Sequence, residues 1–259
     1  MTTRRLTCAI DPARAAALYA TLGQERDVNP GDALPPFFHH IYFWKPKPPG
    51  ALGPDGHPAL GGFLPDMGFP RRMWAGGRLT FHQPLLAGRP ATLTSRISVA
   101  DRKDSRAGPL ALVTMAHDLE QDGDPVLREE QDLVYLPADF ARPAPRPAPE
   151  PCAPDRLRFS TTTLFRYSAL TFNGHRIHYD RDYATGDEGY GGLVVHGPLL
   201  AQHLMLKAER DLGTLRAFSF RATAPLMDFE EAEACRDGRT LWIAGPDGRL
   251  CMTAQAETA

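Results

Sequence analysis

The sequence predicts an α+β protein in which two similar units each combine a helix with an antiparallel sheet. Segments of alternating apolar and polar residues predict the strands, and two stretches with a helical repeat of apolar residues predict the helices. A proline-rich segment near the middle divides the chain, because prolines at this density prevent both helix and sheet. We predict an N-terminal unit at residues 1–136, a linker at residues 137–155 and a C-terminal unit at residues 156–259.

Composition indicates a folded globular protein and argues against several kinds of partner. The 259 residues are 42% apolar and 23% charged, and the net charge of -2 has both signs interspersed. We therefore expect no nucleic-acid or membrane partner, and the N-terminus has no apolar run typical of a signal peptide. The widely spaced Cys8, Cys152, Cys235 and Cys251 favour a reducing compartment, so we expect a cytoplasmic protein.

In the N-terminal unit, a helix is predicted first and strands follow after a long irregular region. Asp11 is a suitable N-cap, and Pro12 fits the first helical position. Ten prolines between residues 27 and 70 limit any helix or strand there to a short one. Antiparallel strands are then predicted within residues 78–88, 91–104, 110–123 and 126–137.

The C-terminal unit is predicted to open with a short strand at residues 158–163. A helix begins at Pro198, has leucines on one face and ends at Gly213. Three alternating segments follow at residues 215–227, 231–238 and 240–257, and the last one turns back at residues 246–248. The two units therefore have the same kinds of element.

Polar residues suited to catalysis concentrate between residues 164 and 200. This segment contains three histidines, an asparagine and several acids before the start of a helix. Because loops next to a rigid sheet often carry catalytic groups, we interpret His178 as catalytic. We expect structural, hydrogen-bonded roles for the histidines elsewhere, namely His39, His40, His57, His82, His117 and His203.

The sequence FNGHRIHYD, followed by GLVVHGPLL, resembles the MaoC-like hydratases of the hot-dog fold. It is most similar to the branch that contains hydroxyacyl-thioester dehydratase type 2 and the mesaconyl-CoA or itaconyl-CoA hydratases, and RMWAGGRLTFHQPLLAG also resembles this branch. In the general family pattern D-x-N-P-L-H-x-D, Asn173 takes the place of the first aspartate, while His178 and Asp180 are retained. The resemblance implies a double hot-dog fold.

The resemblance also implies reversible hydration of an enoyl-CoA thioester, with Asn173 and His178 as the catalytic pair. His178 can accept and return a proton, whereas an asparagine side chain does not titrate and can only orient water. The backbone N–H of Gly197, next to His196 at a helix start, is suited to the negative charge of an enolate oxygen. Mesaconyl-CoA and itaconyl-CoA are the expected kinds of substrate.

Several arginines are candidates for binding the substrate. Arg71, Arg72 and Trp74 could bind the phosphates and adenine of coenzyme A, or could be a solvated pair beside a core tryptophan. Arg166 and Arg176 flank the proposed site, and either one is a candidate to recognise the second carboxylate of a dicarboxylic acyl group such as mesaconyl.

Other interpretations of the same residues lead to different functions. A metal site of His175, His178 and His196 lacks a recognised ligand motif, and no G-x-S-x-G motif indicates a serine hydrolase. We expect no metal and no cofactor besides the coenzyme A of the substrate. A 3-hydroxyacyl-carrier-protein dehydratase and a non-catalytic thioester-binding subunit stay open, and exposed sheet edges favour a homodimer.

Overall fold

The computed structural model describes residues 3–105, 108–140, 143–150 and 153–259. The described α-helices are α1 (Pro12–Thr21), α2 (Thr161–Thr171) and α3 (Gly197–Leu212). Short 3₁₀ helices lie at Phe38–Ile41, Pro49–Ala51 and Arg176–His178, and a π-helix lies at Tyr183–Asp187. The strands of the first half are β1 (Thr3–Ala9), β2 (Ala33–Leu34), β3 (Arg71–Phe81), β4 (Leu85–Leu86), β5 (Pro90–Ser105), β6 (Gly108–Gln121) and β7 (Asp124–Leu136). The strands of the second half are β8 (Asp155–Arg158), β9 (Leu215–Ala222), β10 (Glu231–Asp237), β11 (Thr240–Ala244) and β12 (Leu250–Thr258).

Ten of these strands form one antiparallel sheet that is shared by the two halves of the chain. Its order is β1-β5-β6-β7-β3-β9-β12-β11-β10-β8, so each half contributes five neighbouring strands. The halves join where β3 pairs with β9, from Gly76 opposite Arg221 to Thr80 opposite Ala217. A Cβ atom on Gly76 would lie 2.5 Å from the carbonyl oxygen of Phe220, so only glycine allows the strands to approach this closely here.

Helix α3 packs on the second half of the sheet and supplies much of the core. Its buried residues include Leu199, Leu200, Leu204 and Met205, which belong to the largest apolar cluster of the described residues. Burial of each such side chain stabilises the fold by about 1.5–3 kcal/mol. The helix ends before Gly213 as predicted and begins at Gly197, one residue earlier than predicted.

The pattern-based predictions for α1 and the long strands are confirmed. The side chain of Asp11 accepts a hydrogen bond from Ala13 N–H at 2.9 Å and caps α1 as expected. The first long strand was predicted too late, because β3 begins at Arg71 and not at Arg78. This difference puts Arg72 and Trp74 within the sheet.

The predicted strand at residues 158–163 is wrong beyond Arg158. Helix α2 begins in this segment, where Ser160 Oγ accepts a hydrogen bond from Thr163 N–H at 3.1 Å. Its β-branched threonines favour a strand, but the N-cap and the burial of Leu164 and Tyr167 against the core outweigh that weak preference.

None of the described helices is long and apolar enough to cross a membrane. Cys8, Cys235 and Cys251 are free thiols, in keeping with their wide spacing in the sequence. Cys152 lies outside the described residues.

Candidate active site

His178 is the central titratable group of the site, and its ring has one fixed and one available nitrogen. It ends a short 3₁₀ turn, Arg176–His178, and is 7% exposed. Nδ1 lies 2.7 Å from the carbonyl oxygen of Val194. A neutral ring must donate from Nδ1 to that carbonyl, so the lone pair is on Nε2. This tautomer is ready to accept a proton at Nε2.

The environment keeps His178 neutral. Burial, reinforced by the nearby ring of His175, lowers the pKa of His178 to about 3, although the bond to Val194 opposes this shift. The rings of His175 and His178 meet edge to face, with centroids 5.5 Å apart. The ring is therefore unprotonated across the neutral pH range.

His196 lies directly behind His178 and is completely buried. The two rings stack with centroids 3.7 Å apart, and His196 Nε2 forms a 2.8 Å hydrogen bond with Ser168 Oγ. Burial lowers the pKa of His196 well below its ordinary value, so this ring is also neutral. The sequence placed His196 among the substrate-binding residues, but its position is that of a support for His178.

Asn173 begins the turn that leads to His178. Its Oδ1 accepts the His175 N–H at 3.0 Å, while its own backbone N–H donates to Ser168 O at 2.8 Å. Because Oδ1 holds the turn, the Nδ2 amide is the part of this side chain suited to contact water or substrate.

A loop of the N-terminal half, residues 53–58, is clamped against this turn. Gly56 and Gly174 pack backbone to backbone, since a Cβ on Gly56 would lie 2.0 Å from Gly174 O. The carbonyl of Asp55 accepts the Arg176 N–H at 2.9 Å. The loop therefore brings its own side chains to the catalytic segment.

His57 and Asp55 of this loop are functional candidates that the sequence analysis missed. The ring centroids of His57 and His175 are 4.6 Å apart, and burial lowers the pKa of each to about 3. His57 had been grouped with the structural histidines. Nothing in its local sequence distinguishes it, because it reaches the site through a contact between segments more than a hundred residues apart.

Asp55, His57 and His175 lie close enough together to hold a metal ion. The Arg72 guanidinium, however, lies 3.8 Å from the Asp55 carboxylate and places a positive charge where a cation would bind. The other metal set considered, His175 with His178 and His196, is not among the groups of described residues whose ligand atoms lie close enough together to hold an ion. These residues therefore fit a metal poorly.

The start of α3 offers an unpaired backbone donor next to the histidines. The N–H groups of Leu199 and Leu200 both donate to His196 O, whereas that of Gly197 has no backbone acceptor within the described part of the chain. A Cβ on Gly197 would be 3.8 Å from Trp74 O, so strand β3 passes close to this helix start. The helix dipole adds to the attraction of this N–H for negative charge.

The arginines predicted to flank the site differ in position. Arg166 is exposed on α2. Arg176 is bound to Asp180 at 2.8 Å, donates to Pro54 O at 3.1 Å and covers the ring of Tyr183 at 4.1 Å. Neither is a free cation directed at His178.

The three residues predicted to bind coenzyme A all lie on β3, but each has different surroundings. Arg71 pairs with Glu188 at 3.3 Å and is partly exposed. The ring of Trp74 packs in the core, 5.2 Å from that of His40, and its Nε1 donates to Gly76 O at 2.7 Å. The structure therefore favours the core interpretation for Trp74, while Arg72 faces the His57 loop.

A second buried polar cluster lies in the N-terminal half. Glu129 accepts from Nε2 of both His39 and His40, at 3.0 and 2.9 Å, and the neighbouring His117 is bonded to Ser95 at 2.7 Å. The two histidines hold the pKa of the Glu129 carboxyl well below its ordinary value against the effect of burial. These three histidines have the structural contacts predicted for them.

Comparison with known proteins identifies the family of this chain. A model of hydroxyacyl-thioester dehydratase type 2 matches residues 37–228. The mesaconyl-C(4)-CoA hydratase of Chloroflexus aurantiacus is 43% identical over 255 residues, covering 95% of this chain and 91% of that protein. A mitochondrial hydroxyacyl-thioester dehydratase type 2 of Schizosaccharomyces pombe is 27% identical, covering 82% and 80%.

Solved structures agree on the fold. HtdX of Mycobacterium tuberculosis has a TM-score of 0.70 at 19% identity and covers 100% of both chains. A second protein of that organism, described as having a double hot-dog fold, has a TM-score of 0.60 at 13% identity over 99% of this chain and 95% of the other. The predicted α+β double hot-dog fold is confirmed. The family match and the 43% identical relative both span most of the chain, which therefore belongs to the hydroxyacyl-thioester dehydratase type 2 family.

Proposed function

We propose that this protein reversibly hydrates the carbon–carbon double bond of an enoyl-CoA whose acyl group is dicarboxylic, of the mesaconyl type. The observation that carries the proposal is the 43% identity, over 95% of the chain, to a protein named mesaconyl-C(4)-CoA hydratase. The arrangement around His178 is chemically suited to the reaction.

In the hydration direction, His178 Nε2 removes a proton from a water molecule as its oxygen bonds to the β-carbon of the enoyl group. The electron pair of the double bond moves through the α-carbon onto the thioester oxygen, where the Gly197 N–H stabilises the enolate. His178 then returns the proton to the α-carbon. The bond from Nδ1 to Val194 keeps the reacting nitrogen directed away from that carbonyl throughout.

The remaining groups orient the reactants. Asn173 holds the water through its amide, and His196 fixes the His178 ring by stacking against it. Arg71, which is partly exposed at the start of β3, is the candidate for the phosphates of coenzyme A. Coenzyme A is then part of the substrate, and the protein needs no cofactor of its own.

The test is to incubate the purified chain alone with mesaconyl-C4-CoA and follow the loss of absorbance of the conjugated thioester. We expect turnover, and a decrease in kcat of about 10²- to 10⁴-fold for His178→Ala because the general base is lost. His82→Ala, at an exposed histidine, is the matched control. No turnover by the intact chain would contradict the proposal and favour a non-catalytic thioester-binding subunit.

Dehydration of 3-hydroxyacyl-carrier-protein thioesters is the second candidate. It is favoured by the family match and by the name of the S. pombe relative. Presenting the same 3-hydroxyacyl group on coenzyme A and on a carrier protein separates the two functions. A kcat/KM at least ten times higher on the carrier protein would favour this candidate, and itaconyl-CoA in the same panel tests the other dicarboxylic isomer.

We also propose that the protein acts in the cytoplasm as a homodimer. The sheet ends at β1 and β8, whose outer edges are open within the described structure and could pair with another copy. Sedimentation equilibrium of the purified chain gives the oligomeric state. A monomer at micromolar concentration would contradict the dimer.

A further inference from the structure

Arg72 is a nearly buried cation whose hydrogen-bonding capacity is poorly used. Its side chain is 9% exposed, and its ion pair is with Asp55 Oδ2 at 3.8 Å. A charge-assisted hydrogen bond is about 2.7–2.9 Å long, so this contact is too long to be one. Asp55 Oδ1 is already held by the His57 N–H at 3.0 Å, which restrains the carboxylate from moving closer.

Tyr135 presents a second unused donor next to Arg72. The two residues are directly opposite each other on β3 and β7, so their side chains share one face of the sheet. Tyr135 is completely buried, and its hydroxyl oxygen lies within reach of the Arg72 guanidinium, which can only donate. Within the described residues the hydroxyl hydrogen therefore has no acceptor. Burial raises the pKa of the Tyr135 hydroxyl, and the adjacent Arg72 guanidinium opposes that rise. An unpaired buried hydroxyl is costly unless a ligand completes it.

Arg72 lies close to two of the histidines near the catalytic base. Burial lowers the pKa of both His57 and His175 to about 3, and the positive charge of Arg72 adds to each shift. A histidine ring is either neutral or positive, so neither ring can neutralise the charge of Arg72. The His175 ring in turn lies 5.5 Å from that of His178. Arg72 is thus close to two histidines that adjoin the base, and Tyr135 shares its face of the sheet.

We propose that Arg72 and Tyr135 bind the free carboxylate of a dicarboxylic enoyl thioester. The inference rests on the proposed function and names the residues that select its substrate. In a mesaconyl C4-thioester, the free carboxylate is bonded to the alkene carbon that takes up water. A group that recognises this carboxylate must therefore lie close to the base. Arg72 is close to His57 and His175, and the His175 ring contacts that of His178.

This assignment replaces the one based on position in the sequence. Arg166 is exposed, and the guanidinium of Arg176 is occupied by Asp180 and a backbone carbonyl. Arg72, by contrast, combines a nearly buried guanidinium, a weak ion-pair partner and a neighbouring hydroxyl whose hydrogen has no acceptor within the described residues. A bidentate carboxylate would satisfy the guanidinium and accept the tyrosine hydroxyl as well.

The test compares kcat/KM for mesaconyl-C4-CoA with kcat/KM for crotonyl-CoA, which lacks the second carboxylate. In Arg72→Gln, we expect the ratio of the two values to fall by about 10- to 100-fold, because a charged hydrogen-bonding group is lost. Tyr135→Phe keeps the ring packing and should lower the ratio by about 3- to 10-fold. Arg78→Gln is the control, since Arg78 lies on the same strand but is half exposed and paired with Glu130 and Asp132.

The outcomes separate this inference from the proposed function. If the wild-type protein hydrates mesaconyl-C4-CoA but Arg72→Gln leaves the ratio unchanged, the inference is overturned and the proposed function stands. A ratio that falls only in the Arg166→Gln, Arg176→Gln double variant also overturns it. If Arg72→Gln does not fold, Tyr135→Phe decides by the same criterion. No turnover of mesaconyl-C4-CoA by the wild-type protein overturns the proposed substrate itself, before any variant is compared.

Discussion

Replacing His178 with asparagine should make the stability of the protein less sensitive to acid. In the unfolded chain, this histidine takes up a proton below its ordinary pKa of 6.5, whereas in the folded protein burial lowers the pKa to about 3. Between these two values the unfolded state binds more protons than the folded state. Stability is therefore complete above pH 6.5 and falls as the pH falls towards 3.

The size of the effect follows from the two pKa values. Between pH 7.5 and 5.5, protonation of the unfolded chain alone costs about 1.4 kcal/mol of stability for one histidine. The folded-state pKa of about 3 lies far below this window and hardly enters the result. His178→Asn removes this contribution and keeps a side-chain donor near Val194. The decrease in the free energy of unfolding over the window should be about 1.4 kcal/mol smaller in the variant than in the wild type.

Urea denaturation at pH 7.5 and pH 5.5, followed by tryptophan fluorescence, measures this difference. His82→Asn, at an exposed histidine, is the control and should keep the pH dependence of the wild type. If His178→Asn and the wild type lose stability equally over the window, within about 0.5 kcal/mol, His178 titrates normally in the folded state. His178 would then not be a buried, neutral base.

Three further substitutions test the supports of the site. Gly56→Ala should destabilise the protein by about 1–3 kcal/mol and lower kcat, because Gly56 has a φ of 84° and a Cβ would lie 2.0 Å from the carbonyl oxygen of Gly174. Gly62→Ala is the control. A Cβ there meets no atom within 4 Å, so neither the thermal unfolding temperature nor the activity should change. Glu129→Ala should cost about 3–5 kcal/mol in urea denaturation because it removes the buried partner of two histidines, whereas Glu130→Ala, in a more exposed ion pair, should cost about 1 kcal/mol or less. An equal cost for the two glutamates would contradict the structural role of the cluster. Ser168→Ala should cost about 1–3 kcal/mol of stability, because His196 loses its hydrogen bond. It should also reduce kcat more than it raises KM, since His196 supports the ring of His178. An unchanged kcat would show that His196 does not position the base.

Local sequence patterns were sufficient to predict those helix ends and strands that are set by residues close together in the sequence. The cap at Asp11 and the glycine at residue 213 correctly bounded two helices, and alternation located the long strands. The same reasoning failed at residues 161–163, where threonine favours a strand but packing of the following turns against the core produces α2. Propensity differences are smaller than the free energy of burying an apolar face, so tertiary contacts decide such cases.

The sequence by itself determined the α+β class and the resemblance to the family, and it singled out the segment that carries Asn173 and His178. Only the tertiary structure decided which other groups meet that segment. Arg176 donates to Pro54 across 122 positions of sequence, and this contact accompanies the docking of the His57 loop and of Arg72 at the site. Spacing along the chain does not encode such contacts, because they depend on the pairing of β3 with β9 and on glycines that let two loops touch.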